Sequence, residues 1–308
     1  MLHRIETTDD PHAGNFLAYC GIHGEEHDES YIPGADWKFG QDFPSFALLD
    51  AEGSVRGVAA GMLGPAFRAA RRARVAMLHV LFGSADDYRA LVGALTASIR
   101  SAADELYLFI PENLTGLREI LNGAGFSFER TVYLMRAELV PPIQQILPEK
   151  VPASFPQGYM LSRVNARDRT AQSDFIAARN RNFKELKGSS DQRVEDLATF
   201  IDSAAYIEGG LVRLLSPGGE TCGTLRVERD EDDGSAFIGT ISVDREHRGK
   251  GLARGLIRTA LSIARVAGFK EAFLSVNADN ATALGLYLRE GFSVVKAMSC
   301  LSAFTCPR

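Results

Sequence analysis

The stretch that decides the fold is Arg248-Gly249-Lys250-Gly251-Leu252-Ala253. An apolar run, Phe237 to Val243, leads into it, and an amphipathic one, Leu252 to Gly268, follows. The pattern reads as strand, tight turn, helix. Glycines at 249 and 251 let the backbone turn sharply and approach a ligand closely. The helix that follows aims its free N–H groups and the positive end of its dipole into the turn. Arg248 and Lys250 add two cations. Together these features make a site for a pyrophosphate group. A plain strand-to-helix turn would leave the pairing of glycines and cations without a reason.

Outward from this turn, the second half opens with a strand over Gly158 to Val164. Helices follow over Arg167 to Leu186 and Asp191 to Ala204. A hairpin, Leu211 to Leu215 and Thr221 to Arg229, turns at Ser216-Pro217-Gly218-Gly219, and Asp230 to Gly234 is an acidic turn. The first half reads in the same order. Glycine-phenylalanine occurs at 125–126 and again at 291–292, an offset of 166 residues. Applied without a gap, that offset sets Gly57 on Gly223, Glu105 on Glu271 and Leu108 on Leu274. The chain is therefore read as two copies of one α/β unit. The chemistry does not repeat: Arg248 falls on Phe82, Gly251 on Ala85 and Ala253 on Asp87, beside Asp86. Two carboxylates then stand where phosphates would bind, so only the second copy is expected to hold a nucleotide.

Five of the twelve prolines lie between Val140 and Gln157, a concentration that breaks regular structure and marks a linker. The expected domains are 1–140, without cofactor, and 158–308, catalytic, joined by 141–157. In the first half, Arg68, Arg71, Arg72 and Arg74 read as a solvated basic turn before a strand at Val75 to Phe82. Trp37 lies in a polar stretch that suits either a loop over a cleft or a surface loop with one aromatic anchor. Net charge of −5 gives no case for non-specific nucleic-acid binding. No apolar run reaches membrane-spanning length and Met1 to Asp10 lacks a signal region, so a cytoplasmic protein without membrane attachment is expected. Cys20, Cys222, Cys300 and Cys306 have no CxxC spacing, which argues against a metal site and a disulfide framework.

The second copy resembles the GNAT superfamily of acetyl-CoA-dependent N-acetyltransferases. Residues 248–253 match its [RQ]-x-x-G-x-[GA] signature. Asn280, Tyr287 and the pair Gly291-Phe292 match its second signature. The resemblance implies two tandem GNAT-like domains, each a mixed, mostly antiparallel sheet flanked by helices, with splayed fourth and fifth strands. It implies acetyl-CoA as co-substrate. Pantetheine would pair with Ile241, Ser242 and Val243, and pyrophosphate would sit on Arg248, Gly249, Lys250, Gly251, Leu252 and Ala253. Asn280 would contact the pantetheine arm, and Tyr287 would protonate the departing thiolate. Asn280 and Tyr287 are seven residues apart, two helical turns, and share a face.

The implied reaction is direct attack of a primary amine on the thioester, with the oxyanion held by a backbone N–H, that of Val243. Glu228, Asp244 and Glu246 are the candidate bases, with Glu228 put forward. The ribosomal-protein N-terminal acetyltransferases of the superfamily carry a glutamate on the fifth strand where this chain has Ser275, which favours a small-molecule amine. The tandem layout is also similar to that of the mycothiol synthases, which acetylate an aminothiol. Two other classes stay open: a non-catalytic acyl-CoA binder and a dinucleotide-binding enzyme. Against the latter, its third glycine position is Arg254, and Glu271 begins its strand where the fingerprint needs an acidic residue at a strand's end. Tandem copies suit either a monomer or a homodimer.

Overall fold

The computed structural model describes residues 1–24, 31–139, 155–165, 167–184, 186, 189–230 and 234–305. The first half runs β1 (Leu2–Ile5), α1 (Ala13–His23), β2 (Ser45–Leu49), β3 (Val55–Met62), α2 (Pro65–Ala69), β4 (Arg72–Val80), α3 (Ala85–Ile99), β5 (Glu105–Pro111), α4 (Thr115–Gly123) and β6 (Ser127–Glu138). The second runs β7 (Met160–Arg163), α5 (Arg169–Phe183), α6 (Val194–Ile201), β8 (Tyr206–Leu215), β9 (Thr221–Arg229), β10 (Ala236–Val243), α7 (Leu252–Val266), β11 (Glu271–Asn277), α8 (Ala281–Arg289) and β12 (Ser293–Phe304). From β5 onward the copies keep step: β5, α4 and β6 recur as β11, α8 and β12, each starting 166 residues later with its length unchanged. Each copy is a mixed, mostly antiparallel sheet with helices beside it.

The chain divides into two compact units. Unit 1 is Met1–Val132 with Ala297–Arg308, and unit 2 is Tyr133–Lys296. In unit 1 the strands lie in the order β1-β2-β3-β4-β5-β12-β6. The β4–β5 pairing is parallel, and β12 joins β5 antiparallel, from Met298 opposite Pro111 to Phe304 opposite Glu105. Leu301 and Ala303 thereby enter a core with Leu91, Leu95, Leu106 and Leu108. In unit 2 the order is β7-β8-β9-β10-β11-β6, and Met135, Ala137 and Leu139 enter the core under α7. The units therefore part within β6 and β12 and not at the proline-rich segment. Of that expected linker, residues 140–154 lie outside the described residues; Phe155 packs on Gly255 of α7, within unit 2.

α7 forms because its apolar residues fall on one stripe. Leu252, Leu256, Ile257, Ala260 and Ala264 are buried, while Arg254 and Arg258 face out to Glu290. Each large side chain in that stripe contributes about 1.5–3 kcal/mol by leaving water. Glu290, at the end of α8, receives both arginines at 2.9 and 2.8 Å and ties α8 to α7.

Unit 1 corrects the reading of its basic run. Arg68 and Arg71 are surface residues paired with Asp42 and Asp104. Arg72 and Arg74, however, lie inside β4 with their side chains buried or nearly so. Arg72 pairs with Glu105 and Glu129, and Arg74 stacks over Tyr31 and Tyr107. A guanidinium tolerates such a site because its flat faces stack on aromatic rings while its edges meet carboxylates. Trp37 is the aromatic anchor: it is buried, and its indole N–H donates to Ser45 Oγ at 3.0 Å. Cys20, Cys222 and Cys300 are buried free thiols, and Cys306 lies outside the described residues. Among the described residues no helix is long and apolar enough to cross a membrane.

Candidate active site

The two parallel strands of unit 2 meet only at their starts. β10 and β11 pair at Ala236–Ala272 and Phe237–Phe273, and no register partner follows. From there the strands diverge and leave a gap at their C-terminal ends. The other edge of β10 stays on β9, with Ile241, Ser242 and Val243 opposite Leu225, Thr224 and Gly223. Asp244 N–H donates to Cys222 C=O at 2.8 Å. Bonded residues alternate along an antiparallel pair, so Ser242 also faces β9, while Ile241 and Val243 turn their backbone groups into the gap. Ser242 is further held by its hydroxyl, 2.7 Å from Thr224 Oγ1. Of the three residues named for pantetheine, two thus present backbone to the gap and the middle one does not.

The turn between β10 and α7 closes the open end of this gap. Arg245–His247 form a single 3₁₀ turn; Gly249 and Gly251 then adopt positive φ of 78° and 79°. Gly251 is the N-cap, without a side-chain cap. Only glycine takes this conformation cheaply, and a Cβ at either position would point into open space. The N–H groups of residues 249–254 have no acceptor among the described residues. That is a row of unmet donors at a dipole's positive end, the arrangement an oxyanion needs. Leu252 is buried and fixes the helix start. Arg248 Nε donates to Val243 C=O at 2.9 Å, so this cation braces the turn against β10. Lys250 Nζ donates to Tyr159 Oη at 3.1 Å, and Tyr159 Oη shares a 2.8 Å hydrogen bond with His247 Nδ1. The Tyr159–His247 link carries no motif and was not visible in the sequence.

At the end of β11, Asn280 caps α8 by accepting from Ala283 N–H at 3.2 Å. Its side chain is thus engaged with its own helix. Tyr287 lies two turns on, half-buried in the cluster under α7, with its ring edge-on to Phe292 at 5.9 Å. Burial pushes its phenol up to about 12. The group stays protonated at neutral pH and is a hydrogen-bond donor there.

The three candidate bases separate clearly. Asp244 holds the end of α5, accepting from Arg181 Nη2 at 2.6 Å and from Asn182 Nδ2. Glu246 is exposed on the 3₁₀ turn. Glu228 lies on β9 in an ion pair with Arg226 at 3.1 Å. The register of β10 on β9 slips between Ile238 and Thr240, so Gly239 is a bulge. A Cβ on Gly239 would stand 2.4 Å from Glu228 Oε1 and 2.7 Å from Arg226 Nη2. The glycine lets this ion pair lie directly against the strand that borders the gap. A glycine within an apolar strand is the sequence signal for such a bulge.

Unit 1 has the same splay but not the turn. β4 and β5 pair only from Arg72–Glu105 to Arg74–Tyr107. Residues 81–84 connect β4 to α3, where residues 244–251 connect β10 to α7. The gapless alignment hid this four-residue deletion, because the β3–β4 connection, residues 63–71, is three residues longer than its counterpart, 230–235, and the α3–β5 connection, 100–104, is one residue longer than 267–270. Asp86 and Asp87 are therefore not simple replacements for Leu252 and Ala253. The start of α3 is closed by its own capping box: Ser84 Oγ accepts from Asp87 N–H, and the Asp87 carboxylate accepts from Ser84 N–H at 3.0 Å. Asp87 also takes Arg56 at 2.6 Å, and this hydrogen bond lowers its carboxyl to about 2.

Residues 175–292 match the acetyltransferase (GNAT) family profile. The matched segment lies in the second copy and includes the glycine turn, Asn280 and Tyr287. A stretch of 52 residues is 46% identical to human N-acetyltransferase 8B, covering 17% of this chain and 23% of that relative. Whole-chain likeness comes from solved structures. A GCN5-related N-acetyltransferase from Sphaerobacter thermophilus superposes with a TM-score of 0.70 at 18% identity, covering 100% of this chain and 96% of the other. A tandem GNAT protein from the clavulanic acid biosynthesis pathway gives 0.65 at 17% identity, with 100% of both chains covered. At such identities the likeness is one of fold, and it spans both copies: the chain is a tandem GNAT fold whose second copy carries the family's sequence signature.

Proposed function

We propose that unit 2 transfers an acetyl group from acetyl-CoA to the primary amine of a small molecule by direct attack. One juxtaposition carries this reading: a gap bordered by the backbone of Ile241 and Val243, closed by a turn whose N–H groups have no acceptor among the described residues. Pyrophosphate sits on residues 248–253, the pantetheine arm pairs with Ile241, and the Val243 N–H is left for the thioester oxygen. The match of residues 175–292 to the GNAT family profile supports the same chemistry. The amine nitrogen attacks the thioester carbon, the C–N bond forms and the C–S bond breaks. The oxygen's developing charge is held by the Val243 N–H. Glu228 takes the amine proton through water, which its place beside Gly239 supports. Tyr287 serves the leaving sulfur. A phenol near 12 gives up its proton to a thiolate reluctantly, so Tyr287 stabilises the sulfur by hydrogen bonding. The nitrogen's proton balances the released thiol. Unit 1, with its short connection and self-capped helix, binds no acetyl-CoA.

Thermal shift with acetyl-CoA against NADH, followed by thiol release across an amine panel, tests the reading. Stabilisation by acetyl-CoA alone and amine-dependent thiol release are expected. Stabilisation by NADH, or by neither, would overturn it.

A further inference from the structure

The face of the unit 2 sheet turned away from α7 carries two phenylalanines side by side. Ala236, Ile238, Ala272 and Leu274 point into the core under α7. Side chains alternate along a strand, so Phe237 and Phe273 stand on the other face. They are register partners, the last pair before β10 and β11 diverge. Both are half-buried, and neither packs into an apolar core among the described residues. Leu134 of the neighbouring β6 is half-buried on the same face, since Met135 and Ala137 enter the core. Ser275, the next residue of β11 on this face, is exposed, so solvent reaches the surface there. Unit 1 fills the same two places differently. Arg74 and Tyr107 are the register partners, and Tyr31 covers them, its ring centroid 3.9 Å from the Arg74 guanidinium.

This apolar floor adjoins the reacting groups. Glu228 is the register partner of Phe237 on β9, so its side chain rises on the same face, and Gly239 beside it borders the acyl-donor gap. The charged side chains at the margins are matched, Arg226 with Glu228 and Arg136 with Glu271 at 3.1 Å. What the floor offers a ligand is therefore ring and hydrocarbon surface next to one carboxylate, the mixture typical of a small-molecule site. We propose that the acceptor is a primary amine on an apolar body, which lies on Phe237 and Phe273 and brings its nitrogen to the thioester beside Glu228. This rests on the transferase reading above. Affinity comes from hydrocarbon and ring faces leaving water together. The hydroxyls of a sugar amine would lose water over the rings and gain no partner there, so that class is disfavoured.

The test follows thiol release from acetyl-CoA by the unchanged protein. The acceptors are n-alkylamines from ethylamine to octylamine, which are equally basic, and ω-amino alcohols of matching length. Each methylene that leaves water for the floor should raise kcat/KM about two- to fourfold. The amino alcohol should be the slower member at every length. Phe273→Ala should flatten the series and cut kcat/KM for the best amine about tenfold, through KM. Phe273→Leu should keep most of the slope, and the thermal shift by acetyl-CoA should stay as it was in both variants. Rates independent of chain length, or an unchanged slope in Phe273→Ala, would overturn the apolar acceptor site alone. Thiol release with none of the amines would overturn the transferase reading and this inference with it.

Discussion

Placing a carboxylate at Gly251 isolates the electrostatic part of the anion site. Gly251 has φ of 79°, and a Cβ there meets nothing within 4 Å. Alanine and aspartate therefore both fit in space, and both carry a backbone penalty on the order of 1–2 kcal/mol. What aspartate adds is one negative charge on the N-cap, about 5 Å from a phosphate seated on the N–H groups. At an effective dielectric constant of about 20–40, that separation gives about 1.7–3.3 kcal/mol of repulsion per phosphate charge. Screening at physiological salt, with a Debye length of about 8 Å, trims this toward the lower end. Gly251→Asp should weaken acetyl-CoA binding by about 10–100-fold relative to Gly251→Ala, and the difference should shrink as salt is raised. Titration calorimetry with acetyl-CoA measures it without knowledge of the acceptor. Equal dissociation constants for the two variants would refute the placement of the diphosphate at this turn.

Tyr287→Phe keeps the ring that packs on Phe292, so melting temperature and acetyl-CoA binding should hold while kcat falls about 10–100-fold, the range of a lost hydrogen-bond donor to developing charge; an unchanged kcat would remove Tyr287 from the reaction. Gly239→Ala should lower kcat while acetyl-CoA binding holds, because the new methyl group would displace the Glu228 carboxylate, and steady-state kinetics with both substrates would read it. Acid should loosen unit 1 first. His79 is 6% exposed, and burial and then His23 hold it at about 4 against 6.5 when unfolded, so its neutral form is favoured above pH 6.5 and that contribution drains away as pH falls toward 4. The loss is on the order of 3 kcal/mol, and His79→Phe should flatten the pH dependence of denaturant midpoints over that window. Below pH 4 the Asp87–Arg56 pair follows: a carboxyl lowered to about 2 stabilises above its unfolded value and loses that effect as pH drops through 2, so Asp87→Asn should erase a further change worth about 1–2 kcal/mol.

The elements were legible where periodicity was strong. α7, with apolar residues at one face, and the glycine turn before it announce themselves, and so does the recurrence of Gly125-Phe126 as Gly291-Phe292. Three things stayed hidden for definite reasons. The fixed offset concealed three compensating length changes, since only pairing shows that Val80 stands opposite Gly57 as Val243 stands opposite Gly223. Arg72 and Arg74 looked solvated because charge in sequence says nothing of the rings and carboxylates brought from β5 and β6. The bonds of Arg181 and Asn182 to Asp244 depend on α5 packing beside β9 and β10, a long-range contact that carries no local pattern. Tyr159 and His247, 88 residues apart, meet for the same kind of reason.

The last strand bears on how the protein can be made. Residues 297–304 lie between β5 and β6 of unit 1, so the first copy lacks an interior strand until β12 has been translated. At about 5–20 residues per second, the wait is roughly 8–33 s after residue 132 leaves the peptidyl-transferase centre. During it β5 shows an unpaired edge flanked by Tyr107 and Phe109, a template for mispairing with other nascent chains. Halves expressed separately by cutting at the prolines should aggregate, and a circular permutant that begins near residue 290 should not.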